Sequence, residues 1–161
     1  MIDPNCKKDP ELRYLWHLSC STSLGKEFVI MKPRTYGPNR GESEPKNRRF
    51  CCSISPAGGF VAIPIDYTDR KYHLYRSVKK VASYKTYNVP DAGVTGERWL
   101  FEDTEFKKII TLSPHEFAEY YELLRKYRYI LGVEGQENFR RQRNAAKAIL
   151  RKLDREYFIC R

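Results

Sequence analysis

The sequence predicts an α+β fold: a mixed or antiparallel, split β-sheet core of about six strands, followed by two C-terminal helices. Three observations carry this prediction. Short apolar stretches fill residues 13–112, turn-forming residues separate them, and helical periodicity begins only at Ser113. With 161 residues, 41% of them hydrophobic, the chain is long enough for one domain with a core. We therefore expect a single domain, 1–161, that is strand-rich over 1–112 and helical and basic over 113–161.

The first predicted strand, residues 13–20, places a histidine among apolar and aromatic side chains. A period of two puts Leu15, His17 and Ser19 on one face of this strand. Residues 56–63 are compatible with a short helix, because Pro56 suits a first helical position, or with a tight turn at the glycine pair that follows. The remaining strands are predicted at residues 27–31, 49–55, 71–78, 97–101 and 107–112.

Two helices are predicted after the strands. Ser113 and Glu116 form a capping box with Pro114 at the first helical position, and apolar residues recur at helical spacing as far as Gly132. A final helix is predicted at roughly 137–157, with a predominantly basic surface. The basic side chains that could bind a partner on this helix are Arg140, Arg141, Arg143, Lys147 and Arg151.

The net charge of +10 favours an anionic partner, such as nucleic acid, a nucleotide or an acidic protein surface, although solubility alone explains it equally well. Six basic residues and no acid lie between positions 70 and 85. The Pro- and Gly-rich segment 32–49 is predicted to be a loop with a net charge of +4. Because the chain has neither a long apolar run nor a secretion signal at its N-terminus, we expect a cytoplasmic protein that does not contact membranes.

The spacing of the cysteines and the absence of several well-known short motifs argue against several classes of protein. None of the five cysteines is spaced as in a C-x-x-C motif, so we expect reduced, mostly buried thiols and no metal. The sequence also has no phosphate-binding loop, dinucleotide-binding glycine motif, zinc-peptidase motif or hydrolase elbow.

Three polar motifs occur in order on predicted strands. They are His17-x-Ser19, Arg49-Phe50-Cys51-Cys52-Ser53-x-Ser55 and Gly96-Glu97-Arg98-Trp99. Over residues 13–112, this order resembles the ADP-ribosyltransferase superfamily, in particular its His-Tyr-Glu branch, which includes the poly-ADP-ribose polymerases, diphtheria-like toxins and small bacterial and phage transferases. The resemblance implies transfer of ADP-ribose from NAD, the substrate, to a macromolecular target that is a protein or a nucleic acid. The chain's size would suit a phage or bacterial effector.

The resemblance also implies roles for individual residues. The catalytic residues would be Glu97 and His17: Glu97 would be the carboxylate that stabilises the positively charged sugar, and His17 would hydrogen-bond a ribose hydroxyl of the adenosine half. The residues expected to bind NAD are His17, Ser19, Phe50, Ser53, Ser55 and Tyr75. In this set, Ser53 or Ser55 would hold the nicotinamide amide, and Phe50 or Tyr75 would stack on its ring. The sequence departs from the family pattern because its second motif contains no tyrosine.

Each of these residues also has a purely structural interpretation. His17 could be a hydrogen-bonded core histidine, Glu97 could pair with Arg98, and the motif serines could satisfy backbone groups at a strand end. The alternative function is that of a non-catalytic basic protein that binds nucleic acid or an acidic partner, as a host-defence antagonist would. A related enzymatic alternative is the RNA 2'-phosphotransferase branch of the same superfamily.

Overall fold

The computed structural model describes residues 6–21, 23–35, 48–62, 69–86 and 92–119. Its strands form a single sheet in which every pair of neighbours is antiparallel. The strands are β1 Cys6–Lys8, β2 Trp16–Ser19, β3 Phe28–Met31, β4 Phe50–Ser53, β5 Tyr72–Ser77, β6 Tyr84–Thr86, β7 Glu97–Leu100 and β8 Thr104–Leu112. Their order across the sheet is β1-β6-β7-β4-β2-β5-β8-β3, which places the strand of His17 near the centre.

The predicted α+β class with a sheet core is confirmed, but the predicted number of strands was wrong. The sheet has eight described strands rather than about six, and of the two predicted arrangements, mixed or antiparallel, it has the antiparallel one. The prediction missed β1 and β6, which are only three residues long and pair with each other at one end of the sheet. Three residues are too few to show a period of two, so only the pairing identifies them as strands.

The helices within the described ranges are short. Residues 56–63, which the sequence left open between helix and turn, contain helix α1, Pro56–Ala62, and the predicted turn before β7 contains helix α2, Ala92–Thr95. A third helix, α3, begins at Pro114 and continues through residue 119. The predicted capping box is confirmed, because Ser113 N donates to Glu116 Oε2 at 2.8 Å and Glu116 N donates to Ser113 Oγ at 3.2 Å. The helix predicted at 137–157 lies outside the described residues.

Helix α1 forms despite its glycine pair because its N-terminus is capped and one glycine is required by close packing. Ser55 Oγ accepts a hydrogen bond from Gly58 N at 3.2 Å, as an N-cap side chain does. A Cβ at Gly58 would lie 2.0 Å from the carbonyl oxygen of Thr95. The glycine therefore lets α1 approach α2 and the end of β4.

Replacing Gly58 with Ala is expected to lower the free energy of unfolding by about 1–2 kcal/mol, because overpacking outweighs the higher helix propensity of alanine. Urea denaturation of purified protein measures the change. Gly59→Ala is the matched control, since its Cβ would come no closer than 3.2 Å to its neighbours, the Cβ and backbone N of Leu18. Equal stability of the two variants would contradict this account of the α1 packing.

The two faces of the sheet are buried against different partners. One face carries a core cluster that includes Leu15, Phe50, Tyr75 and Phe106. On the other face, the ring of Phe117 from α3 stacks on Tyr72 with centroids 3.8 Å apart, and Phe60 from α1 lies 6.0 Å from Phe117. Helices α1 and α3 thus cover the face opposite the core cluster.

The cysteines differ from expectation in their exposure. No disulfide joins any two of Cys6, Cys20, Cys51 and Cys52, and the prediction that the cysteines are mostly buried was wrong for these four, since only Cys52 is buried and the other three are half-buried. Cys160 lies outside the described residues. In the described ranges, no helix combines the length and the apolar character needed to span a membrane.

Candidate functional site

A cavity lies between the two central strands of the sheet, β2 and β4. Strands β2 and β4 pair at one position, Trp16 with Ser53, whereas β2 and β5 pair at four positions. The cavity between β2 and β4 has a volume of about 390 Å³, within the range typical of small-molecule sites. Its lining includes Trp16, His17, Arg34, Ser53, Gly58 and Glu97. Three residues predicted from separate motifs therefore line one cavity: His17, Ser53 and Glu97.

His17 is one of the lining residues, and its imidazole is neutral. Its Nδ1 lies 3.1 Å from the carbonyl oxygen of Cys51; a carbonyl only accepts, so Nδ1 carries the proton and Nε2 carries a lone pair. Burial lowers the pKa of His17 to about 4; the Cys51 hydrogen bond opposes this shift and the positive charge of Arg34 adds to it. The ring also contacts Phe50, with centroids 4.6 Å apart. At neutral pH, Nε2 of His17 can accept a hydrogen bond from a ligand hydroxyl.

This pKa predicts how stability depends on pH. Between pH 6.5 and pH 4 the unfolded chain binds a proton at His17 that the folded chain does not, so stability should fall as the pH drops through this range. We expect His17→Gln to reduce this loss, measured as the free energy of unfolding at several pH values. In the control, His115→Gln, the replaced side chain is 85% exposed and the slope should be that of the wild type. The same slope in all three proteins would contradict the assigned environment of His17.

Glu97 is the first residue of β7, and its carboxylate is held by a buried tryptophan. Trp99 Nε1 donates a hydrogen bond to Glu97 Oε1 at 2.6 Å, and Trp99 is fully buried. The guanidinium carbon of Arg49, also buried, lies 4.4 Å from the centroid of the Trp99 ring. Gly96, at φ 65°, makes the sharp connection between α2 and β7. These contacts fix the position of the Glu97 carboxylate at the edge of the cavity.

Ser53 lies directly opposite Glu97 in the β4–β7 register. Its hydroxyl donates a hydrogen bond to the carbonyl oxygen of Thr95, and the residue is 4% exposed. This contact agrees with the structural interpretation of the serine, because it ties the end of β4 to α2. A ligand amide would have to compete for the Ser53 hydroxyl or share it.

The register places the side chains of the site residues on both faces of the sheet. Trp16, Ser53 and Glu97 form one row across β2, β4 and β7, so their side chains share a face. His17 follows Trp16, and its imidazole therefore lies on the other face, against Phe50. The two faces meet at the cavity because the β2–β4 pairing is confined to one position. The side chains of Glu97 and His17 thus lie on opposite faces of the sheet.

The other residues predicted to bind NAD do not line this cavity. Ser19 Oγ accepts from Ser21 N at 3.1 Å, and Ser55 caps α1. Tyr75 is fully buried in the core, where its hydroxyl donates to a backbone carbonyl, and Phe50 is 5% exposed in the same core cluster. The aromatic ring in the lining belongs instead to Trp16, and the basic side chain belongs to Arg34.

No local pattern in the sequence identified Trp16 or Arg34 as a lining residue. Trp16 looks like an ordinary strand residue beside His17, and Arg34 is one of several cations in a segment predicted to be a loop. Arg34 is brought to the cavity by an antiparallel bridge to Arg49, the residue before β4. The predicted partner-binding residues between 140 and 151 lie outside the described part of the chain.

The described structure contains a larger cavity, of about 830 Å³, beside the connection between β7 and β8. Its lining mixes Lys79 and Lys80 with Glu102 and Asp103 and includes none of the predicted site residues. Within the described ranges, no group of three or more His, Cys, Asp or Glu side chains is placed to hold a metal ion.

Searches of protein-family models, of curated proteins and of solved structures find no match for this chain. The interpretation of the cavity therefore depends on its own geometry and chemistry.

Proposed function

We propose that this protein binds NAD in the cavity between β2 and β4 and transfers ADP-ribose to a macromolecular target. The observation that supports the proposal most is the shared cavity of His17, Ser53 and Glu97, which lie far apart in the sequence. Each had been assigned to an NAD site from the order of its motif. A cavity whose lining includes His17, Trp16 and Glu97 suits a nicotinamide riboside unit.

The reaction breaks the bond between the nicotinamide nitrogen and the C1′ carbon of the ribose. The bonding electron pair leaves with nicotinamide, and positive charge develops on the sugar. The Glu97 carboxylate, held by the Trp99 indole, stabilises that charge in the transition state. A nucleophilic oxygen or nitrogen of the target then forms a bond to C1′ and loses its proton to the carboxylate or to water.

The other lining residues position the dinucleotide. Nε2 of His17 accepts a hydrogen bond from a ribose hydroxyl, and the Trp16 ring offers a stacking surface for nicotinamide. Arg34 supplies positive charge for the pyrophosphate. This assignment moves the stacking role from Phe50 or Tyr75, both in the core, to Trp16.

The test uses two preparations of NAD, one labelled in the adenylate half and one in nicotinamide, incubated with the purified protein and cell lysate. The proposal predicts that adenylate label appears on macromolecules while an equal amount of free nicotinamide is released. Calorimetric titration with NAD in the absence of lysate measures binding separately. Absence of both NAD binding and nicotinamide release would overturn the proposal.

A pair of histidine variants locates the binding site. His17→Gln is expected to weaken NAD binding about tenfold, the usual cost of losing one ligand hydrogen bond. His73→Gln is the control, because His73 lies outside the cavity lining and its Nδ1 is 2.9 Å from Thr111 Oγ1. Equal loss of affinity in both variants would place NAD elsewhere.

The alternative function is that of a non-catalytic binding protein for nucleic acid or an acidic partner. It is favoured by the basic stretch at 70–85, where Arg70, Lys71, Lys79 and Lys80 are exposed. Binding of an anionic polymer with no release of nicotinamide would support this alternative.

A further inference from the structure

A basic and aromatic surface begins at the rim of the NAD cavity. The guanidinium carbon of Arg76 lies 4.5 Å from the ring centroid of Tyr14 and 5.8 Å from that of Trp16. Trp16 also lines the cavity. We call these three residues the Tyr14 ladder. The Nζ atom of Lys80 lies 6.0 Å from the Tyr14 ring, so positive charge continues beyond the ladder.

The ladder is aligned by the sheet itself. Trp16 and Arg76 are directly paired in the β2–β5 register, and Tyr14 precedes Trp16 by two residues, which places all three side chains on one face. Tyr14 is 39% exposed, so its ring is accessible to a ligand. Arg76 and Lys80 form no salt bridge with any described residue.

We propose that the Tyr14 ladder binds single-stranded nucleic acid and guides it toward the NAD cavity. Aromatic side chains that alternate with cations suit a single strand, because the rings stack on bases while the cations contact phosphates. An acidic protein surface would be attracted by the same cations but would not need exposed rings. Duplex nucleic acid hides its bases, so its affinity should be lower.

That the bound strand is the acceptor of ADP-ribose rests on the proposed function. In that reaction, a nitrogen or oxygen of a nucleotide bonds to C1′ of the ribose as the bond from C1′ to nicotinamide breaks. The electron pair leaves with nicotinamide, and the acceptor's proton passes to Glu97 or water. The ladder places the strand next to this carbon because Trp16 belongs to both the ladder and the cavity.

The test measures binding of a fluorescent single-stranded oligonucleotide of mixed sequence to the full chain by anisotropy. Tyr14→Ala should weaken binding about tenfold, and Tyr14→Phe should retain it, because stacking needs the ring and not the hydroxyl. Lys80→Gln should reduce the slope of log affinity against log salt by about 0.7, as expected for the loss of one phosphate contact. The matched control is Phe28→Ala, which removes an aromatic ring that is 48% exposed and lies 5.6 Å from the Nζ atom of Lys107.

The outcomes separate this inference from the proposed function. Saturable binding that depends on Tyr14 but not on Phe28 supports the ladder, even if the protein releases no nicotinamide. Equal effects of Tyr14→Ala and Phe28→Ala, or full competition by polyglutamate at equal charge, would overturn the inference. NAD binding without any oligonucleotide binding would also overturn it while leaving the proposed transferase activity in place.

Discussion

Replacing Glu97 with Gln is expected to reduce nicotinamide release about a thousandfold, because in the proposed reaction it removes the negative charge that would stabilise the developing cation on the ribose. Folding should be little affected. The amide oxygen of Gln can still accept the hydrogen bond that Trp99 Nε1 donates to Glu97 Oε1 at 2.6 Å. The initial rate of nicotinamide release, measured with saturating NAD, reports the loss, and thermal unfolding monitors the fold.

The control for this experiment is Glu105→Gln, which neutralises an exposed carboxylate on β8. Its rate should equal that of the wild type, which excludes a general effect of net charge on NAD binding. If the Glu97→Gln variant released nicotinamide at the wild-type rate, Glu97 would have no role in the reaction. If Glu97→Gln lowered the thermal stability as strongly as the rate of nicotinamide release, the role of Glu97 would be structural.

The second large effect is expected at Asp9, a buried carboxylate that links β1 to the rest of the sheet. Its side chain is 1% exposed and contacts three cations: Arg98 at 2.9 Å, Arg13 at 3.5 Å and Lys85 at 3.9 Å. Asp9→Asn should lower the free energy of unfolding by about 3 kcal/mol, because it leaves these cations, above all the largely buried Arg98, without their anion. Urea denaturation at pH 7 measures the change.

The pH dependence provides a check on this cause. Burial raises the pKa of Asp9, but the hydrogen bonds from Arg98 and Glu11 N and the charges of Arg98 and Lys85 together hold it below its ordinary value of 3.8. The stabilisation is therefore complete above about pH 4 and is lost as the pH falls through the lowered value. The difference in the free energy of unfolding between the wild type and Asp9→Asn should therefore become smaller only in strong acid.

Glu11→Gln is the matched control for Asp9. Glu11 Oε2 also contacts Arg13, at 2.5 Å, but its side chain is 63% exposed. Exposed ion pairs contribute at most about 1 kcal/mol, so this variant should unfold almost as the wild type does. A loss at Glu11 as large as that at Asp9 would show that burial is not the reason for the effect.

Local patterns in the sequence predicted much of the sheet. The predicted strand at 71–78 became β5, Tyr72–Ser77, and the strand at 97–101 became β7, Glu97–Leu100. Such strands are predictable because alternation and β-branched or aromatic side chains are properties of the segment itself. The same holds for the Ser113 capping box, whose two hydrogen bonds span only three residues.

The sequence could not predict which aromatic ring enters the cavity. Phe50, in the second motif, and Tyr75, on the predicted strand 71–78, were the expected stacking partners, but the register turns both into the core, while Trp16 lines the cavity. A shift of one position in pairing moves a side chain to the opposite face. The choice among neighbouring aromatic residues therefore depends on strand pairing over long sequence separations.

The sequence by itself determined the sheet-rich character of this protein, its positive charge and the residue types available for chemistry. Only the tertiary structure decided that His17, Ser53 and Glu97 share one cavity, because that depends on β4 lying between β2 and β7 and on pairing with β2 at a single position. The physical reason is the sequence separation of the interacting residues. Strand propensity depends on adjacent residues, whereas this cavity lies where segments distant in the sequence pair incompletely.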